Sequence, residues 1–181
     1  MSDKKNTVIE VATMLFAKNG FENTSITSIC LEAKVSKGLV YHHFKSKEAI
    51  LIEIFTQVTE QMVEMNNDSK SSINPNKQLQ QLIENIFSQL KENKHIFQFN
   101  LNIMFQPSTR KILNKQIEQR ANLLFSAIKR IFDKISEEKS EILSYLFIAE
   151  IDGIALNYLS VFNNYPLEKI KNELLKKYTN D

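Results

Sequence analysis

Apolar residues recur at helical spacing along almost the whole chain, and only three Gly and three Pro interrupt them. A chain patterned in this way buries one stripe of each helix, and none of its segments alternates as a half-buried strand does. The expected fold class is all-α, with about nine helices. Its 181 residues, 43% of them hydrophobic, can build a real core, either in one large domain or in a small head joined to a larger body.

Start and stop signals divide the first fifty residues. Val8, Ala12, Leu15 and Phe16 share one face of a helix expected over residues 5–18, and Gly20 stands just past its end. Ser25 is a good N-cap for a second helix carrying Ile26, Ile29, Cys30 and Ala33, and Ser36 caps a third from Lys37 to Phe44. Ser46 caps a fourth that carries Ile50, Leu51, Ile54, Phe55, Val58 and Met62. Two short helices joined at Lys34-Val35 and followed by a long one form the pattern of a helix-turn-helix, whose second helix lies in the major groove of DNA. Ile29, Ala33, Val35, Val40 and Phe44 are expected to hold these helices together, which leaves Lys37, Gly38, Leu39, Tyr41 and His42 or His43 pointing outward. There Lys37 can donate to a guanine edge or a phosphate, Gly38 permits close approach, and Leu39 can lie against a thymine methyl. Ser25 and Ser36 would cap helices in any protein; with Thr27 they are also placed to meet phosphates at helix N-termini. The formal net charge of +2 falls wholly in residues 1–50, which hold seven Lys against five acids.

Residues 9–51 carry this pattern through Thr24-Ser25-Ile26-Thr27-Ser28-Ile29-Cys30 and Ser36-Lys37-Gly38-Leu39-Val40-Tyr41-His42-His43-Phe44. The stretch resembles the DNA-binding end of a TetR-family transcriptional regulator. The resemblance implies a DNA-binding head at 1–47 and a helical regulatory and dimerisation body at 48–181. It further implies a ligand-responsive regulator, by default a repressor, which binds a palindromic double-stranded operator as a homodimer and is released by a small-molecule effector. In this family the Tyr of the Tyr-x-x-Phe segment and the Lys that opens the fourth helix contact phosphates; here these are Tyr41 and Lys47. Two positions depart from the family pattern. Lys34 stands where Gly commonly follows Ala, so a non-glycine residue must adopt the left-handed conformation, and Cys30 replaces an Ala.

Beyond residue 50 the resemblance is architectural. Asn67–Asn76 reads as a loop, and Asn74-Pro75 opens a fifth helix with Leu79, Leu82, Ile83, Ile86, Phe87 and Leu90 on one stripe. A sixth helix is expected after Asn93, a seventh over 108–135, an eighth over 140–162, and a last one opening at Pro166. The resemblance implies that the last two form a four-helix interface between two copies. Ala149, Gly153, Leu156 and Ser160 fit such a close approach, although ordinary internal packing accounts for them too. It also implies an effector pocket, for which Phe55, Met62, Phe97, Leu101, Met104, Phe105, Tyr145 and Asp152 are the candidates, with an apolar or aromatic effector. Asp152, a carboxylate on an apolar helix, needs a Lys or Arg, a backbone N–H, or a cationic ligand.

Catalysis is not expected. His42, His43, His95 and a single Cys assemble no nucleophile set, and the chain has no glycine-rich phosphate loop, no His-Glu-x-x-His and no Cys-x-x-Cys, so neither cofactor nor metal is expected. Cys30 reads as a small core residue. The competing reading is a helical protein-interaction module whose helix-turn-helix is architectural; outward Lys37, Tyr41 and Lys47 weigh against it. Ile142–Phe162 is apolar for long enough to span a bilayer, but Glu150, Asp152 and Asn157 lie at and near its middle, so a helix covered by protein neighbours is expected and no membrane partner. The polar start Met-Ser-Asp-Lys-Lys-Asn and the lone Cys point to the cytoplasm.

Overall fold

The computed structural model describes residues 2–68 and 74–179, and among these all regular structure is helical. Among the described residues nine α-helices follow one another: α1 (Ser2–Asn19), α2 (Ile26–Glu32), α3 (Lys37–His43), α4 (Lys47–Asp68), α5 (Pro75–Glu92), α6 (Lys94–Phe105), α7 (Pro107–Asp133), α8 (Ser140–Leu156) and α9 (Leu167–Thr179). The expected all-α class is the observed one. Of the expected Asn67–Asn76 loop, residues 69–73 lie outside the described residues.

The start signals work as hydrogen-bond acceptors. Ser25 Oγ accepts from Ser28 N–H (3.0 Å), Ser36 Oγ from Leu39 N–H (3.2 Å), Ser46 Oγ from Ala49 N–H (3.2 Å) and Asn74 Oδ1 from Asn76 N–H (2.9 Å). Each satisfies a donor that the first turn of a helix leaves open. Gly20 ends α1 at φ +79°. Lys34 adopts φ +53° in the α2–α3 turn, the one non-glycine residue with positive φ among the described residues. Lys34→Gly removes the Cβ that makes this conformation unfavourable and should raise stability by about 1 kcal/mol. A urea midpoint that stays put or falls would contradict that.

The chain divides into two compact units, Met1–Thr59 with His95–Glu118, and Glu60–Lys94 with Gln119–Asp181. In the first, Val8, Ala12 and Phe16 of α1, Ile29 and Ala33 of α2, Val40 of α3, and Ile50, Leu51, Ile54 and Phe55 of α4 are buried, with Phe99 and Ile103 of α6. Within this unit α6 is tied to the end of α1. Asn102 Nδ2 donates to Ala17 O (2.8 Å) and Phe16 O (3.4 Å), and a Cβ on Gly20 would come within 2.8 Å of Gln106 Nε2.

In the second unit α5 packs on α9, burying Leu79, Leu82, Ile83, Phe87 and Leu90 on one helix and Leu167, Leu174 and Tyr178 on the other. Lys91 pairs with Glu168 across this pair of helices. Phe132, Phe147 and Tyr178 form a triangle of rings with centroids 5.2–6.1 Å apart. The expected eighth helix is interrupted after Leu156: a π-helical turn, Asn157–Val161, follows, and Asn157 Nδ2 donates back to Gly153 O (2.8 Å).

Candidate nucleic-acid interface

The helix-turn-helix has a buried side and an open side. Ile29, Ala33, Val40 and Phe44 are in the core and Val35 is half-buried, which fixes the rotation of α2 and α3. Ser25, Thr27, Ser36, Lys37, Gly38, Tyr41 and His42 are all exposed, and Leu39 is half-buried. The N-termini of α2 and α3 therefore open to solvent with their capping hydroxyls. At Gly38 the nearest atom to an added Cβ would be Ser36 Oγ at 3.9 Å, an ordinary contact, so the chain's own packing does not demand glycine there.

The two histidines separate. His42 is exposed, whereas His43 is half-buried, and its Nε2 is enclosed without a hydrogen-bond partner among the described residues. The His43 ring lies 5.0 Å from that of His42 and 6.3 Å from that of Phe44. Cys30 is buried, as a small core residue should be.

Lys47 has a geometry that residue type alone does not convey. Its Nζ donates to Phe21 O (2.8 Å), Thr24 O (3.0 Å) and Glu22 O (3.4 Å), and lies 4.2 Å from the centroid of the Phe21 ring. Lys5, at the other end of the head, pairs with Glu53 of α4 at 2.6 Å.

The candidates for an effector site are divided between the units. In the first, Phe55 is buried, Phe97 and Leu101 are half-buried, and Met104 and Phe105 are exposed, because α6 turns Phe99 and Ile103 to the core instead. In the second, Met62 is half-buried, Tyr145 is exposed with its ring 4.6 Å from that of Phe125, and Asp152 is exposed. Neighbouring apolar bulk still pushes the Asp152 carboxyl above its ordinary pKa by desolvation. Arg120, which the sequence reading passed over, is desolvated enough to lower its pKa to about 9, so it remains a cation at neutral pH.

The α8 candidates lie along an open face. Ala149 and Ser160 are exposed, Gly153 and Leu156 are half-buried, and nothing stands within 4 Å of a Cβ built on Gly153. On α8, Ile142, Tyr145 and Leu146 are 62%, 57% and 49% exposed. A groove of about 370 Å³ between α8 and α9 is lined by Gly153, Ile154, Asn157, Tyr165, Ile170 and Leu174, with Glu150, Glu173 and Lys177 among its polar groups. Ser140–Val161 is long and apolar enough to cross a membrane, and 22% of its most apolar window is buried.

Residues 8–54, the whole helix-turn-helix and the start of α4, match the model of the tetR family of bacterial regulatory proteins. YuxN of Bacillus subtilis, an uncharacterised helix-turn-helix transcriptional regulator, is 32% identical over 171 residues, 88% of this chain and 55% of its own length. The chain belongs to the TetR family. A second relative, the fatty acid metabolism regulator protein of Bacillus subtilis, is 30% identical over 132 residues, covering 72% of this chain and 65% of that protein. The chain thus spans little more than half of YuxN and just under two thirds of the second relative. Among solved structures, the transcriptional regulator FadR from Bacillus subtilis in complex with stearoyl-CoA superposes with a TM-score of 0.79 over 97% of both chains at 22% identity, which shows a shared fold.

Proposed function

We propose that this TetR-family chain is a ligand-responsive transcriptional regulator that binds a palindromic operator as a homodimer. The observation that carries this reading is the open row at the starts of α2 and α3: Ser25, Thr27, Ser36, Lys37, Gly38, Tyr41 and His42 are exposed on helices whose opposite faces are packed away. Two helix N-termini with solvent-exposed capping hydroxyls suit phosphates, and Lys37 beside a glycine suits a base edge in the major groove. The DNA-facing surface on this reading lies within residues 1–47, and effector response and dimerisation fall to 48–181.

One recognition helix makes too few contacts for a specific site, so two heads must meet successive major-groove faces about 34–36 Å apart or at a multiple of this. The exposed stripe Ile142, Tyr145, Leu146 and Ala149 supports a second copy as the cover, in place of a membrane. A soluble cytoplasmic repressor is the corresponding reading. For the effector, the names of the fatty acid metabolism regulator and of the stearoyl-CoA complex support an apolar acyl compound with an anionic end. In the first unit, half-buried Phe97 and Leu101 offer apolar surface to such a compound.

Selection of genomic fragments by the purified protein tests this directly. The recovered duplexes should share a twofold-symmetric site, and log affinity should fall linearly with log salt, as release of condensed counterions requires. Binding that is flat with salt, or recovery of no common site, would sink the DNA-binding reading.

A further inference from the structure

We infer that Lys34, in the turn between α2 and α3, adds a phosphate contact to the operator surface, and that this contact accounts for a strained lysine where glycine would fit. This rests on the DNA-binding reading above.

The turn has the form that glycine suits. Ala33 is the C-cap of α2, Lys34 N–H donates to Leu31 O (3.2 Å), and Val35 N–H reaches back to Cys30 O (3.0 Å). This pair of bonds closes a helix in a Schellman motif, which sets the residue after the cap in the left-handed region and an apolar residue next to it. Lys34 accordingly has φ +53°, and the apolar residue is half-buried Val35. A glycine at 34 would make the same two bonds with no Cβ in conflict with the backbone. The strain therefore comes with the side chain and not with the turn.

Nothing within the chain uses that side chain. Lys34 is exposed, and its ammonium group makes no ion pair or hydrogen bond among the described residues. Glu32, the nearest acid along the sequence, is exposed and does not pair with it. Its position relative to α3 is the informative part. Ser36, two residues on, caps α3, the helix proposed for the major groove, and is itself exposed. Consecutive Cα atoms are about 3.8 Å apart, so Lys34 starts no more than about 8 Å from that cap. The walls of the groove are phosphate strands, and a flexible lysine stem carries a point charge from the turn to the nearer wall. A lysine also suits the negative end of α2, but that contribution belongs to stability and is the same with or without DNA.

The test compares wild type with Lys34→Gln, Lys34→Arg and Lys34→Gly on the duplex that wild-type protein selects. Lys139→Gln, at an exposed lysine of the second unit, is the control for net charge. Lys34→Gln should reduce the slope of log affinity against log salt by about 2 per dimer, roughly one counterion for each head, and lower affinity by about tenfold or more near ~0.1 M salt. The difference from wild type should close as salt rises, since what is lost is counterion release. Lys34→Arg keeps the charge and should keep the slope. Lys34→Gly should raise the urea midpoint and yet reduce the slope as glutamine does, a pairing that a purely structural lysine does not give.

Unchanged affinity and slope in Lys34→Gln would leave the lysine to the dipole of α2 and overturn the inference. An equal fall in slope in Lys139→Gln or in Lys34→Arg overturns it as well, and so does a loss in Lys34→Gln that is the same at every salt concentration. Wild-type protein that retains no duplex overturns the DNA-binding reading, and the inference with it.

Discussion

Phe16→Ala should destabilise the first unit by about 3–5 kcal/mol, the range found when a fully buried Phe is truncated. Phe16 is 1% exposed and lies in a closed seam with Phe21, Leu51, Phe99 and Ile103, its ring 5.3 Å from that of Phe21. It therefore joins α1, the following turn, α4 and α6 at one point. Domains are stable by only about 5–15 kcal/mol, so the loss removes a large share of what holds the recognition helix in place. Urea unfolding followed by circular dichroism gives the free energy, and operator binding near the new midpoint should vanish with it. Leu31→Ala is the matched control, because Leu31 is 80% exposed and its truncation should change little. A Phe16→Ala protein within 1 kcal/mol of wild type would mean, on the same scale, that α6 is not packed on α1.

The parts of this arrangement that the sequence discloses are those set by local chemistry. Ser25, Ser36, Ser46 and Asn74 cap helices because a short oxygen-bearing side chain at that position can accept an N–H from the first turn, whatever surrounds it. Lys34 could be singled out in the same way, and it does adopt positive φ. Lys47 shows where local chemistry stops: its partners lie 23–26 residues earlier and converge on it only after α1 and α4 have packed. Residue type at a family position gives the chemistry available, and tertiary structure decides what it is used for.

In α6 the difficulty is different. Lys94–Phe105 spreads its apolar residues over more than one face, so helical periodicity alone does not choose which of them turn inward. Packing against α1 selects Phe99 and Ile103 and leaves Met104 and Phe105 outside. Asn102 was the available signal, since an amide within an apolar helix needs a partner, and it finds the last carbonyls of α1. Any effector that shifts α6 would act on α1 through this bond, with no need for a hinge between the helix and the head.

Leu146→Glu should convert the protein from dimer to monomer and weaken operator binding by about 100-fold or more, since one head keeps only half of the contacts that specific sites require. The side chain is 49% exposed in one chain, so the substitution leaves the fold of that chain almost untouched and its circular dichroism unchanged. In a twofold interface each change occurs on both copies, so an interface built on this proposed stripe would take up two carboxylates among its apolar residues. Like charges in a desolvated apolar interface repel strongly and lack the water that would screen them. Sedimentation velocity at micromolar concentration reads the assembly, and a binding isotherm on the selected operator reads the function. If the variant remains dimeric with full operator affinity, the α8 stripe is not where the copies meet. Dimer loss with operator affinity preserved would mean that one head suffices, and would remove the reason for expecting a palindromic site.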